Sequence, residues 1–506
     1  MPALSKLEYY LSEKGRFVSL PMYMMGYPLL AVSSLMCICF DFMGLTDQVS
    51  APGLRIIGLL GIGISILCMF MFKKGKPRPS VGIFTILLIY AIAILMSAIP
   101  YMYYGFSVRA SLFESVSGIT TTGMSVIHLS DLNGPLLMWR AITGWIGGFL
   151  FVSLFCLYIM EFGLPGRYLF APGTATTAGE VYRLQVNKIV FRYGLIYFAS
   201  TLIMTLLLMI TGTEIIPSVR LAMSTVSTTG FMDMHGGLDS LEPASRAVIG
   251  IFMLISMINF MTIFYSITKR SLRPFAQDNE GLYMWIWLML IGVIAFILLI
   301  NYDLVPETAD DYLNFVLVIL STASTTGFMV YDYSWPASIV LVFCLGAIIG
   351  GSIDSPTGGV KVARAAMALK IMKNEVAEVS FPNQVNTLRV RDVNVTVGLA
   401  YGGMLMMIMF FIMIITGTIL ISVTEIDMET ALYLATSAIT TTGKGLYSIG
   451  ELGEINTFAQ TVCAVLMLVG RLEVIIFVMM FSPAFWRDLF SRINLRKIIS
   501  GRHPGF

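Results

Sequence analysis

Apolar residues run in long unbroken stretches, and these stretches reach the roughly 20 residues that a helix needs to cross a bilayer. Val81 to Pro100, Val190 to Ile210, Gly281 to Ile300 and Val397 to Ile421 are four examples. Ahead of them, Val18 to Met43 and residues 54 to 72 predict two leading helices. The first is too long for the apolar region of a cleaved signal, so it reads as a retained span. Four further segments are only half apolar and too short to span: Ser111 to Ile119, Val219 to Val226, Asn314 to Ala323 and Thr430 to Ile439. These predict helices that enter the membrane and turn back. A crossing on each side of every short segment, plus the leading pair, predicts ten crossings.

Each short segment runs into the same motif. Ser117-Gly-Ile-Thr-Thr-Thr-Gly123, Ser224-Thr-Val-Ser-Thr-Thr-Gly230, Ser321-Thr-Ala-Ser-Thr-Thr-Gly327 and Ser437-Ala-Ile-Thr-Thr-Thr-Gly443 all fit S-x-x-S/T-T-T-G, with glycine spacings of 107, 97 and 116 residues. Self-similarity at such a period is the mark of internal repetition. The predicted architecture is an all-α membrane protein. Residues 1–78 form the leading pair, 79–167, 183–273, 279–373 and 392–487 form four tandem pore repeats in pseudo-fourfold arrangement, and 488–506 form a basic tail.

Composition agrees with lipid surroundings: 57% of the 506 residues are hydrophobic and 12% charged, against about 25% charged in a soluble domain. Mean hydropathy is +0.82. The six cysteines lie in or beside apolar stretches and read as small core residues rather than a disulfide framework. Clusters at alternate ends of the spans, including Lys73 to Arg78, Arg167 to Arg192 and Lys361 to Arg391, hold 25 of the 32 lysines and arginines. The positive-inside bias makes these segments, and both termini, cytoplasmic. The opposite loops carry Asp233, Asp239, Glu242, Asp303, Glu307, Asp310, Asp311, Asp332, Asp427, Glu429, Glu451 and Glu454. Such a mouth concentrates cations, although each acid taken singly is better read as a solvated loop residue.

Non-helical backbone at membrane depth is tolerated only where protein or a water-filled cavity covers it, so four such segments argue for one shared pore. At Gly123, Gly230, Gly327 and Gly443 a missing side chain permits positive φ and can aim carbonyls at an axis, where rings of them replace the hydration shell of potassium. Thr121, Thr122, Thr228, Thr229, Thr325, Thr326, Thr441 and Thr442 complete the candidate filter. Small residues also permit close helix packing. That alternative suits one copy better than four.

Two further features interrupt apolar spans. The run Gly350-Gly-Ser-Ile-Asp-Ser-Pro-Thr-Gly-Gly359 breaks the second helix of the third copy. A break of that kind marks a pathway element or a kink held by its neighbours. Arg471 lies inside Thr461 to Phe481. A buried arginine costs roughly 2.5 to 3.5 kcal/mol on insertion scales, so it should face the pore or a partner. Asp354 is the better candidate partner, ahead of Glu473 on a different helix face, and a plain structural ion pair is equally compatible.

These residues, with Trp139-Arg-Ala-Ile-Thr-Gly-Trp-Ile-Gly-Gly148, Gly470-Arg-Leu-Glu473 and Pro483-Ala-Phe-Trp486-Arg, resemble the Trk, Ktr and HKT potassium transporter superfamily, and within it the TrkH-type membrane subunit. The likeness covers nearly the whole chain. It implies a potassium uptake pore with K+ held by filter carbonyls, in a homodimer of a prokaryotic inner membrane. It also implies a separate cytosolic TrkA-type ring of Rossmann (RCK) subunits, through which alone a nucleotide (ATP, ADP or NAD) would act, with no organic cofactor in this chain and no nucleic acid partner. On that resemblance, the gate is an intramembrane loop below the filter, with Gly350, Gly351, Ser352, Asp354, Ser355, Thr357, Gly358, Gly359 and Arg471 as its residues, and the arginine helps set the permeation barrier.

Lys444 departs from the family's G-P-G-L pattern, since the chain reads Gly443-Lys-Gly-Leu446. A pose turned outward to Glu451 would keep this cation off the ion path. A sodium- or proton-coupled secondary transporter is the rival class, but it would more often show inverted repeats, whereas these copies share one direction. An enzyme would need a nucleophile with its base or a metal cluster. The histidines are His128, His235 and His503, with no H-E-x-x-H pattern.

Overall fold

The structure, a computed structural model, describes residues 16–46, 52–71, 79–162, 186–233, 236–276, 278–330, 335–380, 389–390, 393–394, 397–443, 453 and 455–490. Lys6, Lys14, Lys73, Lys74, Lys76, Arg78, Arg167, Arg183, Asp332, Lys444, Glu451, Glu454 and the tail beyond Phe490 lie outside the described residues.

The leading pair is α1 (Arg16–Thr46) and α2 (Pro52–Met71). Then come α3 (Pro79–Tyr103), the short α4 (Val108–Ile119) and α5 (Gly134–Phe162). The second group is α6 (Val186–Ile210), the short α7 (Ile215–Val226), and α8 (Pro243–Met257) with α9 (Phe260–Lys269). A four-residue α10 (Arg273–Ala276) leads to α11 (Asn279–Asn301), the short α12 (Ala309–Ala323), α13 (Ala337–Ile349) and α14 (Val362–Ser380). The last group is α15 (Val397–Ser422), the short α16 (Met428–Ile439), α17 (Thr457–Leu472), α18 (Val474–Met480) and α19 (Pro483–Phe490).

Seven described helices are long and apolar enough to cross a membrane, and nine spans result if the bent pairs α8–α9 (98°) and α17–α18 (108°) each count once. The remaining expected crossing is α13, which ends after 13 residues because the chain breaks at Gly350. One departure from an all-helical chain is a two-residue antiparallel ladder pairing Arg389 with Asn394 and Val390 with Val393.

Two apolar cores hold the bundle. One joins the leading helices to the groups around α4 and α16, through residues such as Met36, Trp139, Leu434 and Met467. The other joins the groups around α7 and α12, through Tyr197, Met253, Phe328 and Phe343. Five cysteines in the described residues are free, and three of them are buried.

Three of the four short helices, α4, α12 and α16, start on side-chain caps. Asp427 accepts the Thr430 N–H at 2.9 Å, and Thr308 with Asp311 forms a reciprocal capping box, which satisfies N–H groups that a helix start leaves orphaned. Their other ends run directly into the threonine-glycine motif. There Thr121, Thr228, Thr325 and Thr441 adopt φ of 55°, 56°, 53° and 55°. A left-handed non-glycine residue costs roughly 1–2 kcal/mol, so four at matching places need neighbours that hold them.

Candidate ion-conduction site

Those neighbours recur in every copy. The second threonine donates its N–H back into the short helix: Thr122 to Ser117 O at 2.8 Å, Thr229 to Ser224 O at 2.9 Å, Thr326 to Ser321 O at 3.0 Å and Thr442 to Ser437 O at 2.9 Å. Its hydroxyl pairs with the hydroxyl two residues earlier, Thr120, Ser227, Ser324 or Thr440, at 2.6 to 2.8 Å. All twelve candidate filter residues are buried except Gly123, which is half-buried.

The four glycines form one ring. A Cβ on Gly123 would fall on the carbonyl oxygen of Thr229, one on Gly230 on that of Thr326, one on Gly327 on that of Thr442, and one on Gly443 on that of Thr122. Every one of these contacts is closer than 3.0 Å, and the last closes the circle. Four main-chain segments therefore meet edge to edge in sequence order. Outside the ring, two glycines let helices reach the ends of the short helices: a Cβ on Gly147 would strike Ile119 O, and one on Gly470 would strike Ile439 O.

The segment 350–361 packs against one side of the ring. Gly358 N–H donates to Thr325 Oγ1 at 2.7 Å, and Thr228 Oγ1 donates to the Pro356 carbonyl at 3.2 Å. Gly358 also lies against Thr440 O and Thr441 Oγ1, where a Cβ would not fit. The Thr121 and Thr441 hydroxyls are buried without a hydrogen-bond partner. The ring is thus fourfold in its backbone and unequal in its hydroxyls. Within the loop, Gly351 N–H donates to Thr357 Oγ1 (3.2 Å), and Ser355 Oγ contacts both Ser352 O (2.5 Å) and Thr357 Oγ1 (2.7 Å).

Four charges behave differently from the sequence-based expectation. Arg471, 2% exposed, pairs with neither Asp354 nor Glu473. It donates to Pro356 O at 2.8 Å and stacks on Phe151 at 4.0 Å. Glu473 instead takes Arg364 in a two-pronged pair at 2.8 and 3.1 Å, because its own φ of 69° turns the chain at the α17–α18 bend. Asp354 faces Asn259 at 3.4 Å. Lys361, counted above within a cytoplasmic basic cluster, is 1% exposed. Its ammonium donates to Thr357 O, to Thr357 Oγ1 at 3.0 Å and to Ser355 O at 3.3 Å.

Several acids of the expected mouth are already paired. Arg220 holds Asp233 at 2.7 Å, and Arg246 holds both Asp239 (2.9 Å) and Asp310 (2.7 Å) as well as Asn314 (2.6 Å). Sequence reasoning missed a further buried pair. Glu114, fully buried, accepts Ser125 Oγ (2.6 Å), Val126 N–H (2.9 Å) and Ile127 N–H (3.3 Å), with Arg140 Nε at 3.6 Å. Arg140 in turn covers the Phe231 ring at 4.2 Å. The available signal was a charge inside each of two apolar stretches.

Lipid-length apolar helices packed around four short helices that each run into a threonine-glycine turn define a polytopic membrane protein of the channel and transporter class. The chain belongs to the TrkH family, described as cation transport proteins, which matches residues 92–488. This is a family of transporters and not of enzymes. The Trk system potassium uptake protein TrkH of Halomonas elongata is 29% identical over 442 residues, covering 85% of this chain and 90% of that protein. The protein of the same description from Salmonella typhimurium is 25% identical over 425 residues, covering 82% and 88%. The crystal structure of the potassium transporter TrkH from Vibrio parahaemolyticus superposes with a TM-score of 0.81 at 20% identity, covering 92% of this chain and 99% of that one. That superposition establishes the shared fold.

Proposed function

We propose that this chain is the potassium-conducting subunit of a Trk-type uptake system in a prokaryotic inner membrane, with both termini cytoplasmic. Potassium passes the ring formed by Thr121, Thr122, Gly123 and their counterparts Thr228 to Gly230, Thr325 to Gly327 and Thr441 to Gly443, and carbonyl oxygens there replace its water. The observation that carries this reading is the closed circle in which each glycine leaves room for its neighbour's threonine carbonyl. A ring of main-chain oxygens in a dry wall is what a large, weakly hydrated cation requires. The names of the relatives support potassium as the ion.

The loop 350–359, with Arg471, acts as the gate. Its support is the direct contact of Pro356 and Gly358 with filter threonines and of Pro356 with Arg471. A homodimer and a separate cytosolic TrkA-type ring that senses ATP, ADP or NAD complete the proposed assembly. Flux from proteoliposomes of the purified protein, with K+, Rb+ or Na+ at clamped voltage, tests the ion and the passive character together. Sodium passing as fast as potassium would refute the proposed selectivity, and flux against its electrochemical gradient would point to coupled transport.

A further inference from the structure

The loop has two ends, and different chemistry holds each. Pro356 to Gly359 is held by the filter threonines, Arg471 and Lys361. The opposite end, Ser352 to Asp354, touches none of these in the contacts above. Ser352 N–H donates to Met257 O at 2.9 Å, the last residue of α8, and Phe260 N–H, the first of α9, approaches Asp354 O at 3.4 Å. Asn259, between the two half-helices, presents its amide to the Asp354 carboxylate at 3.4 Å while its own Oδ1 caps Met261 N–H at 2.9 Å. Between these two contacts, the N–H of Ile353 donates to Glu280 Oε1 at 2.8 Å. Glu280 stands in the first turn of α11, at the start of an apolar span.

Main-chain N–H groups are obligatory donors, and a loop inside a membrane has few acceptors. The Glu280 carboxyl oxygen at 2.8 Å supplies one that no other described residue of the loop's surroundings offers to Ile353. The bend between α8 and α9 and the side-chain oxygen of Glu280 therefore grip three consecutive loop residues from outside the loop. We propose that Glu280 is a positioning residue for conduction: with Asp354 on Asn259 it latches the loop against the α8–α9 bend and keeps it under the ring. This inference rests on the reading of 350–359 as the gate.

The test uses the full chain in proteoliposomes without any cytosolic partner. Glu280→Ala removes the acceptor of Ile353 N–H, and basal potassium flux is expected to rise about tenfold, the factor that ~1.4 kcal/mol represents. The order of K+, Rb+ and Na+ should not change, because the ring is untouched. Glu280→Gln keeps an oxygen acceptor at the same reach and should stay within about twofold of the parent, a rescue that bulk destabilisation would not produce. Asp354→Ala releases the same end from Asn259 and should raise flux in the same direction, which keeps the test open if Glu280→Ala fails to fold. A chain deleted for 350–359 separates the two readings. If the deletion conducts freely while Glu280→Ala and Asp354→Ala do not exceed the parent, the latch is wrong and the gate stands. If the deletion conducts no better than the parent, the gate reading falls and takes the latch with it.

Discussion

Gly327→Ser is the sharpest test of the ring. Gly327 has φ of +70°, and a Cβ there would overlap the Thr442 carbonyl oxygen more tightly than at any of the other three glycines. The backbone hand alone costs roughly 1–2 kcal/mol for a residue with a side chain. Forcing an extra carbon into a packed site adds roughly 1–3 kcal/mol. Thr442 cannot step aside freely, since its N–H is bound to Ser437 O at 2.9 Å and its hydroxyl to Thr440 at 2.7 Å. About 2–5 kcal/mol of strain is therefore placed on one quadrant of the ring. If ~1.4 kcal/mol of it falls on the difference between potassium and sodium binding, selectivity drops tenfold. The assay is the ratio of K+ to Na+ flux from proteoliposomes of a monodisperse preparation. Gly403→Ser is the control, because a Cβ there meets nothing within 4 Å, and its ratio should equal the parent's. A folded Gly327→Ser protein with the parent's ratio would show that this ring does not discriminate ions.

Arg471→Gln removes a buried cation beside the loop, and a unit charge at about 4–8 Å is worth roughly 2–4 kcal/mol at an effective dielectric of 20. Basal potassium flux should rise at least tenfold, and unchanged flux would take Arg471 out of the barrier. Glu114→Gln leaves Arg140 buried without its counter-charge, a change that costs about 3–5 kcal/mol in comparable buried pairs. The thermal midpoint in detergent should fall by several degrees, and an unchanged midpoint would mean that Arg140 finds another acceptor. At the start of α16, hydrogen bonding to Thr430 holds the Asp427 carboxyl below its ordinary range. Its contribution is therefore complete above the unfolded value near 3.8 and is lost as pH falls through the depressed folded value. Amide exchange at Thr430 should speed up only in that acid window, and Asp427→Ala should abolish the pH effect.

Much of the frame was legible because its signals are local. The ends of α4, α7, α12 and α16 fall at Ile119, Val226, Ala323 and Ile439 as the motif predicts. Their starts at Val108, Ile215, Ala309 and Met428 were read several residues late, because capping and not hydrophobicity fixes a helix start. What could not be read was which charges meet. Arg471 to Asp354 was a reasonable pairing by type, but the bend at Glu473 swings that carboxylate to Arg364, and the α8–α9 bend takes Asp354. Lys361 looked like the first residue of a cytoplasmic basic cluster. It is buried because its ammonium caps carbonyls of the very loop that precedes it. These partners are set by breaks in helices, and a break is visible in sequence only as glycine or proline. Neither bend offers one: the residues are Ile258-Asn259 and Leu472-Glu473.

The charges around the loop also bear on why a closed state would be stable. The four short helices, of 12, 12, 15 and 12 residues, all end at the ring. Each helix C-terminus carries roughly half a negative charge, so the ring is surrounded by roughly two. A cation would normally answer that field. Among the described residues Arg364 is neutralised by Glu473, but no ion pair includes Lys361 or Arg471. Both are nearly without exposure, both face the Phe151 ring, and both donate to loop carbonyls. A buried arginine and a buried lysine thus stand where the helix ends favour positive charge, the lysine tethered to the loop and the arginine to α17. On the gate reading, moving the loop carries Lys361 away and leaves that field for potassium. Lys361→Met should then raise basal potassium flux from proteoliposomes of this chain alone, and if its flux equals the parent's, the loop blocks by bulk alone.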